Sequence, residues 1–108
     1  MVHERVLSIG HEHPSLAGHF PGHPVVPGVV LLSEVIETLR RGSTAPLSVT
    51  GFPVVKFSSP LRPGEAVTIR VEDEEDGRVA FLCTVKARLI ASGVIEFRPG
   101  ASTQTEPA

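Results

Sequence analysis

The sequence carries a single cysteine, Cys83, among its 108 residues. No disulfide can close within the chain, and a reducing compartment is the expectation. Long apolar runs are missing too. No segment approaches the roughly 20 residues needed to span a bilayer. The opening residues, Met1-Val2-His3-Glu4-Arg5, lack the apolar core of a secretion signal. These absences point to the cytoplasm and away from a membrane. Charge of one sign is also lacking: the net charge is −2, which gives nucleic acid or an anionic surface little to attract. There is no internal repeat. The length fits one domain. It lies near the small end for a self-sufficient core, which favours oligomerisation.

Against that background one stretch stands out: Gly18-His19-Phe20-Pro21-Gly22-His23-Pro24-Val25-Val26-Pro27-Gly28-Val29. Prolines at 21, 24 and 27 fix the backbone. Glycines at 18, 22 and 28 permit turns and close approach by a ligand. The loop runs directly into an apolar segment, so a histidine lies close in sequence to the bare N–H groups of a helix start. That combination reads as a reaction site rather than a connection.

The spacing predicts a helix over 29–41, with Pro27 suited to a helix start. Val29, Leu32, Ile36 and Leu39 share one stripe. Val30, Leu31 and Val35 widen it, so burial on most sides is expected. Arg40 and Arg41 suit the negative end of the helix dipole, and Gly42 reads as a stop. A short strand is expected at 4–9, before the loop at 10–28. Strands are expected at 47–58, with Pro53 marking an edge or bulge, and at 66–72, 78–86 and 89–98. Val67, Ile69 and Val71 alternate on one face, as do Val79, Phe81, Cys83 and Val85. Residues 73–77 read as an acidic turn, and Gly93 as a bulge. Residues 1–98 form the expected domain and 99–108 a flexible tail. One buried helix followed by several antiparallel strands implies an α+β layer fold.

The run Gly18 to Val29 resembles the Gly-His-Phe-Pro-Gly-x-Pro-x-x-Pro-Gly-Val loop of the (3R)-hydroxyacyl-acyl-carrier-protein dehydratases. Lys56-Phe57-Ser58-Ser59-Pro60-Leu61-Arg62-Pro63-Gly64-Glu65 and Ala91-Ser92-Gly93 are similar to later parts of that family. The resemblance implies a single hotdog domain, a long central helix wrapped by a curved antiparallel β-sheet. It implies a homodimer or higher oligomer with shared active sites, no cofactor, and an acyl thioester on acyl carrier protein or CoA as substrate. It makes His19 the base at C2 and the Gly28 N–H the donor to the thioester oxygen. Phe20, Pro27 and Val29 would join Gly28 in binding substrate.

The family's acid lies fourteen residues beyond that histidine, and here the position is Ser33. Glu34 is one residue on, a rotation of about 100° away. Glu37, one turn beyond Ser33 on the same face, is the expected substitute, with Ser33 as relay or water anchor. His11, His13, His19 and His23 raise the question of a metal, but their spacing matches no zinc pattern, and no metal is expected. Cys83 reads as a core residue. Arg40, Arg41, Lys56 and Arg62 read as surface charges or as contacts to an acidic carrier. Two other functions compete with dehydration: a non-catalytic acyl-thioester-binding or partner subunit, suggested by Ser33, and an acyl thioesterase.

Overall fold

The computed structural model describes residues 1–10 and 25–100. Among these residues, five strands and one helix follow in the order β1 (Val2–Leu7), α1 (Gly28–Gly42), β2 (Leu47–Phe57), β3 (Val67–Glu75), β4 (Arg78–Val85) and β5 (Arg88–Pro99). The strands form one antiparallel sheet ordered β1-β3-β4-β5-β2, and α1 packs against β1, β2 and β3. This is the hotdog arrangement. No described helix is long and apolar enough to cross a membrane.

The core follows from the period of two. Val67, Ile69 and Val71 on β3 are fully buried, as are Val79 and Cys83 on β4, with Phe81 nearly so. The register pairs Ile69 with Cys83 and Val71 with Phe81, so the inward faces of the two strands coincide. Each large aliphatic side chain so buried contributes about 1.5–3 kcal/mol.

The helix faces inward along a different stripe from the one its spacing predicts. Leu31, Val35, Thr38 and Leu39 are buried, whereas Val29 is 72% exposed. A helix apolar on most sides leaves its phase open, and a buried polar contact sets it. The Thr38 hydroxyl donates to the Glu34 carbonyl at 2.7 Å and accepts from Arg5 on β1 at 3.3 Å. Arg5 also forms an ion pair with Glu34. Gly42 is not a left-handed stop. It is the last helical residue, and a Cβ there would meet the His3 side chain at 2.7 Å. The expected acidic turn is also shorter than its run of charges. β3 continues to Glu75, which pairs with Arg78, and the reversal falls at Gly77 with φ +76°.

Irregularities in the strand pairing shape the sheet. Along edge strand β2 the register slips between Gly51 and Val54, so Pro53 occupies both an edge and a bulge. There Phe52 meets Phe81 edge to face at 6.0 Å. On β5 the slip is at Ile90 rather than Gly93: Cys83 pairs with Ala91 and Thr84 with Leu89. That extra residue lets Ile90 and Ala91 both face inward, 1% and 0% exposed. Gly93 stays in register with Phe81 and Val55. It is needed for close approach, because a Cβ there would lie 2.1 Å from the Val54 carbonyl oxygen. β5 runs through Pro99, and the Gly100 N–H donates to the Pro46 carbonyl at 3.0 Å. The remaining tail, 101–108, lies outside the described residues.

Candidate active site

The N-terminus of α1 opens onto a cavity of about 440 Å3 lined by Val26, Gly28, Leu31, Phe57, Leu61 and Ile90, with Val25 and residues 58–60 completing its walls. The volume falls within the range of small-molecule sites. Backbone bonds fix these walls. The Val26 N–H donates to the Leu61 carbonyl at 2.8 Å, which holds the approach to the helix against the segment after β2. The bulge on β5 leaves the Ile90 carbonyl available, and it accepts from the Ser58 N–H at 2.8 Å and the Ser59 N–H at 3.4 Å. The Ser59 hydroxyl donates to the Leu89 carbonyl at 2.7 Å. After Leu61, Glu65 takes the Arg62 N–H at 2.8 Å and both of its oxygens take Arg88 at 2.8 Å. The Arg62 N–H and, after it, Arg88 hold the Glu65 carboxyl below its usual pKa.

Pro27 caps α1 with extended backbone and offers no side-chain cap. Its carbonyl accepts from the N–H groups of Val30 and Leu31 at 3.0 and 3.3 Å. The N–H groups of Gly28 and Val29 have no acceptor among the described residues. No acidic residue stands in the first turn. Among the described residues, the helix start therefore keeps its positive dipole and these donors unpaired. Such an end stabilises an oxygen on which negative charge develops.

The expected site residues separate into three groups. His19 and Phe20 lie outside the described residues, as do the other histidines of the loop, His11, His13 and His23. Gly28 lines the cavity, and Pro27 sets its helix cap. Val29, Ser33 and Glu37 are not among its walls. The Ser33 hydroxyl is exposed and donates to the Val29 carbonyl at 3.0 Å. Glu37 is half-exposed and accepts from Arg41 Nε at 3.0 Å. The hydrogen bond from Arg41 is the main cause holding the Glu37 carboxyl below its usual pKa. The neighbouring Glu34 is turned toward β1 by Arg5.

Sequence reasoning singled out the segment that supplies Phe57, Ser58, Ser59 and Leu61 but did not place it at the helix start. It missed Ile90, whose bulge leaves no mark in composition. Among the described residues no cluster of histidine, cysteine, aspartate and glutamate could hold a metal. Cys83 is buried, and loss of hydration pushes its thiol pKa up to about 12.

A helix packed against a curved five-stranded sheet, with an apolar cavity at the helix N-terminus, defines a hotdog protein. Residues 3–94 match the family described as ApeI dehydratase, and the chain belongs to that family of dehydratases. The chain is 28% identical over 110 residues to the 3-hydroxyacyl-[acyl-carrier-protein] dehydratase FabZ of Roseiflexus sp. (strain RS-1), covering 89% of this chain and 73% of that one. It is 30% identical over 99 residues to FabZ of Chlamydia trachomatis serovar D, covering 78% of this chain and 63% of the relative. Among solved structures it is similar to the dehydratase heterocomplex ApeI:P from Xenorhabdus doucetiae, with TM-score 0.76, 26% identity and coverage of 88% and 87%. The fluoroacetyl-CoA-specific thioesterase FlK superposes with TM-score 0.67 at 18% identity, covering 90% and 83%. That likeness concerns the fold alone.

Proposed function

We propose that this dehydratase removes water from a (3R)-hydroxyacyl thioester carried on acyl carrier protein, giving the trans-2-enoyl thioester, as a cytoplasmic homodimer or higher oligomer. The observation that carries the reading is the family match across residues 3–94, joined to an apolar cavity lined by Gly28, whose N–H has no acceptor among the described residues. The apolar walls suit an acyl chain, and the helix start suits its thioester oxygen. Oligomerisation is supported by the exposed apolar side chains of Val29 on α1 and of Val54 on the edge strand β2.

In the proposed reaction the thioester oxygen accepts from Gly28 N–H, which lowers the pKa at C2. His19 takes the C2 proton, and the electron pair left there forms the double bond as the C3–O bond breaks. The departing hydroxyl needs a proton. A serine hydroxyl is too weak an acid, and Glu37 is engaged by Arg41 and is not among the cavity walls. The imidazolium of His19, having just gained a proton, supplies it and returns to neutral, so atoms and charge balance with one base. Histidine suits both transfers because its ordinary pKa lies near neutrality.

A second reading has a specific observation behind it. Ser33 stands at the family's acid position, and the ApeI of the similar structure occurs in a heterocomplex. Here a partner chain would contribute the carboxylic acid to a shared site. Dehydration of a 3-hydroxyacyl-carrier-protein by wild type, His19→Ala and Ser33→Asp separates the two. The one-base reading predicts activity in wild type, a loss of about 100-fold or more in His19→Ala, and little gain from Ser33→Asp. A silent wild type with activity appearing in Ser33→Asp supports the partner reading. Hydrolysis of the thioester without dehydration would overturn both.

A further inference from the structure

The cavity has a wall whose placement restricts what binds there. Phe57 ends β2 on the inward face, paired with Ala91. Its ring stands tip-first over the first residue of α1. A Cβ placed on Gly28 would lie 2.8 Å from Phe57 Cζ and 3.3 Å from both Cε atoms. The ring and Gly28 therefore adjoin at one end of the cavity, while Ile90, Leu31 and Leu61, exposed by 3% or less, line its apolar interior. Phe57 itself is 52% exposed, so the core makes little use of it. A large aromatic side chain that contributes little to the core yet touches the helix start is placed to act on a ligand.

We propose that Phe57 is a specificity-determining residue that excludes acyl groups substituted at C2. The inference rests on the reading above, in which the thioester oxygen takes the Gly28 N–H. C2 is only two bonds from that oxygen, so it comes to the end of the cavity that the ring occupies. A hydrogen on C2 leaves room, whereas a methyl group competes with the ring for the same space. The tail beyond C3 runs toward Ile90 and does not meet this restriction. Gly28 is then required twice: its N–H binds the oxygen, and its missing side chain leaves room for the ring.

The test uses binding as well as turnover. Butyryl-pantetheine amide and both enantiomers of 2-methylbutyryl-pantetheine amide, which cannot be hydrolysed as thioesters, are titrated calorimetrically into wild type, Phe57→Ala and Phe57→Leu. One methyl group in an apolar site is worth about 10-fold or more. Wild type is expected to prefer the unbranched amide by at least that factor. Phe57→Ala abolishes the preference, and Phe57→Leu keeps an intermediate one. A merely structural role lowers both affinities together and leaves their ratio unchanged. An unchanged ratio in both variants, no preference in wild type, or no binding of either amide overturns the proposal. Turnover of the matching 3-hydroxyacyl thioesters reports separately. Selective binding without dehydration rejects the catalytic reading and leaves the assignment of Phe57 standing.

Discussion

The same substitution, glycine to alanine, is expected to have opposite consequences at two positions. At Gly93 the new methyl carbon would lie 2.1 Å from the Val54 carbonyl oxygen, and 2.8 and 2.9 Å from the Phe81 ring. The oxygen belongs to the backbone of the neighbouring strand and Phe81 is 3% exposed, so neither can yield locally. β2 must move away from β5 by about 1 Å or more. Overpacking of this kind costs about 1–3 kcal/mol, and each ladder hydrogen bond weakened by the separation adds about 1 kcal/mol. A total near 3 kcal/mol lowers the melting temperature of a domain this size by about 12–24 °C. At Gly28 the obstacle is the tip of the half-exposed Phe57 ring, a side chain that can shift into the cavity while no ligand fills it. Relief of the helical cost of glycine, up to about 1 kcal/mol, offsets the repacking. Gly28→Ala should therefore melt within about 4–8 °C of wild type yet lose dehydration, because methyl and displaced ring fill the cavity. Circular dichroism melts of both variants beside the activity assay decide the matter. A Gly93→Ala protein that melts with wild type, or a Gly28→Ala protein of full activity, would refute the packing argument.

Three further outcomes are expected. Cys83, buried with its thiol pKa raised to about 12, stays unreactive to iodoacetamide near neutral pH and alkylates only after denaturant is added. Mass spectrometry reads the adduct, and rapid modification of folded protein would contradict the burial. Glu65 has a folded pKa below its ordinary 4.5, so its contribution to stability is full above that value and is lost as pH falls through the folded pKa. Urea titrations should show Glu65→Gln flattening the acid limb below pH 4.5, and an unchanged limb would remove the Arg62 and Arg88 contacts from the account. Arg5→Ala strands the half-buried Glu34 carboxylate and removes a partner of buried Thr38. A loss of about 2 kcal/mol is expected in chemical denaturation, and a change within error would mean the helix phase is set by apolar packing alone.

The sheet was more legible than the helix, for physical reasons. Val67, Ile69 and Val71 alternate with polar residues, and a period of two admits only one choice of inward face. Helix α1 is apolar around most of its circumference, so its pattern did not say which side faces the sheet. The Arg5–Glu34–Thr38 contacts join residues far apart in sequence and left no local signal. Pro53 announced its bulge because proline cannot join a regular ladder. The bulge at Ile90 contains no such residue, and the glycine three positions on drew attention away from it. The candidate site was readable where it depended on local chemistry, as at Pro27 and Gly28. It was not readable where it depended on long-range pairing, which brings Phe57 and Ile90 to the helix start.

The central claim is tested most directly by incubating the wild-type protein with a 3-hydroxyacyl-carrier-protein and measuring the mass of the intact product. The account predicts an acyl-carrier-protein lighter by one water, with the acyl group still attached, and no such product from His19→Ala at the same time point. Release of free carrier protein, or equal water loss from wild type and His19→Ala, would contradict it.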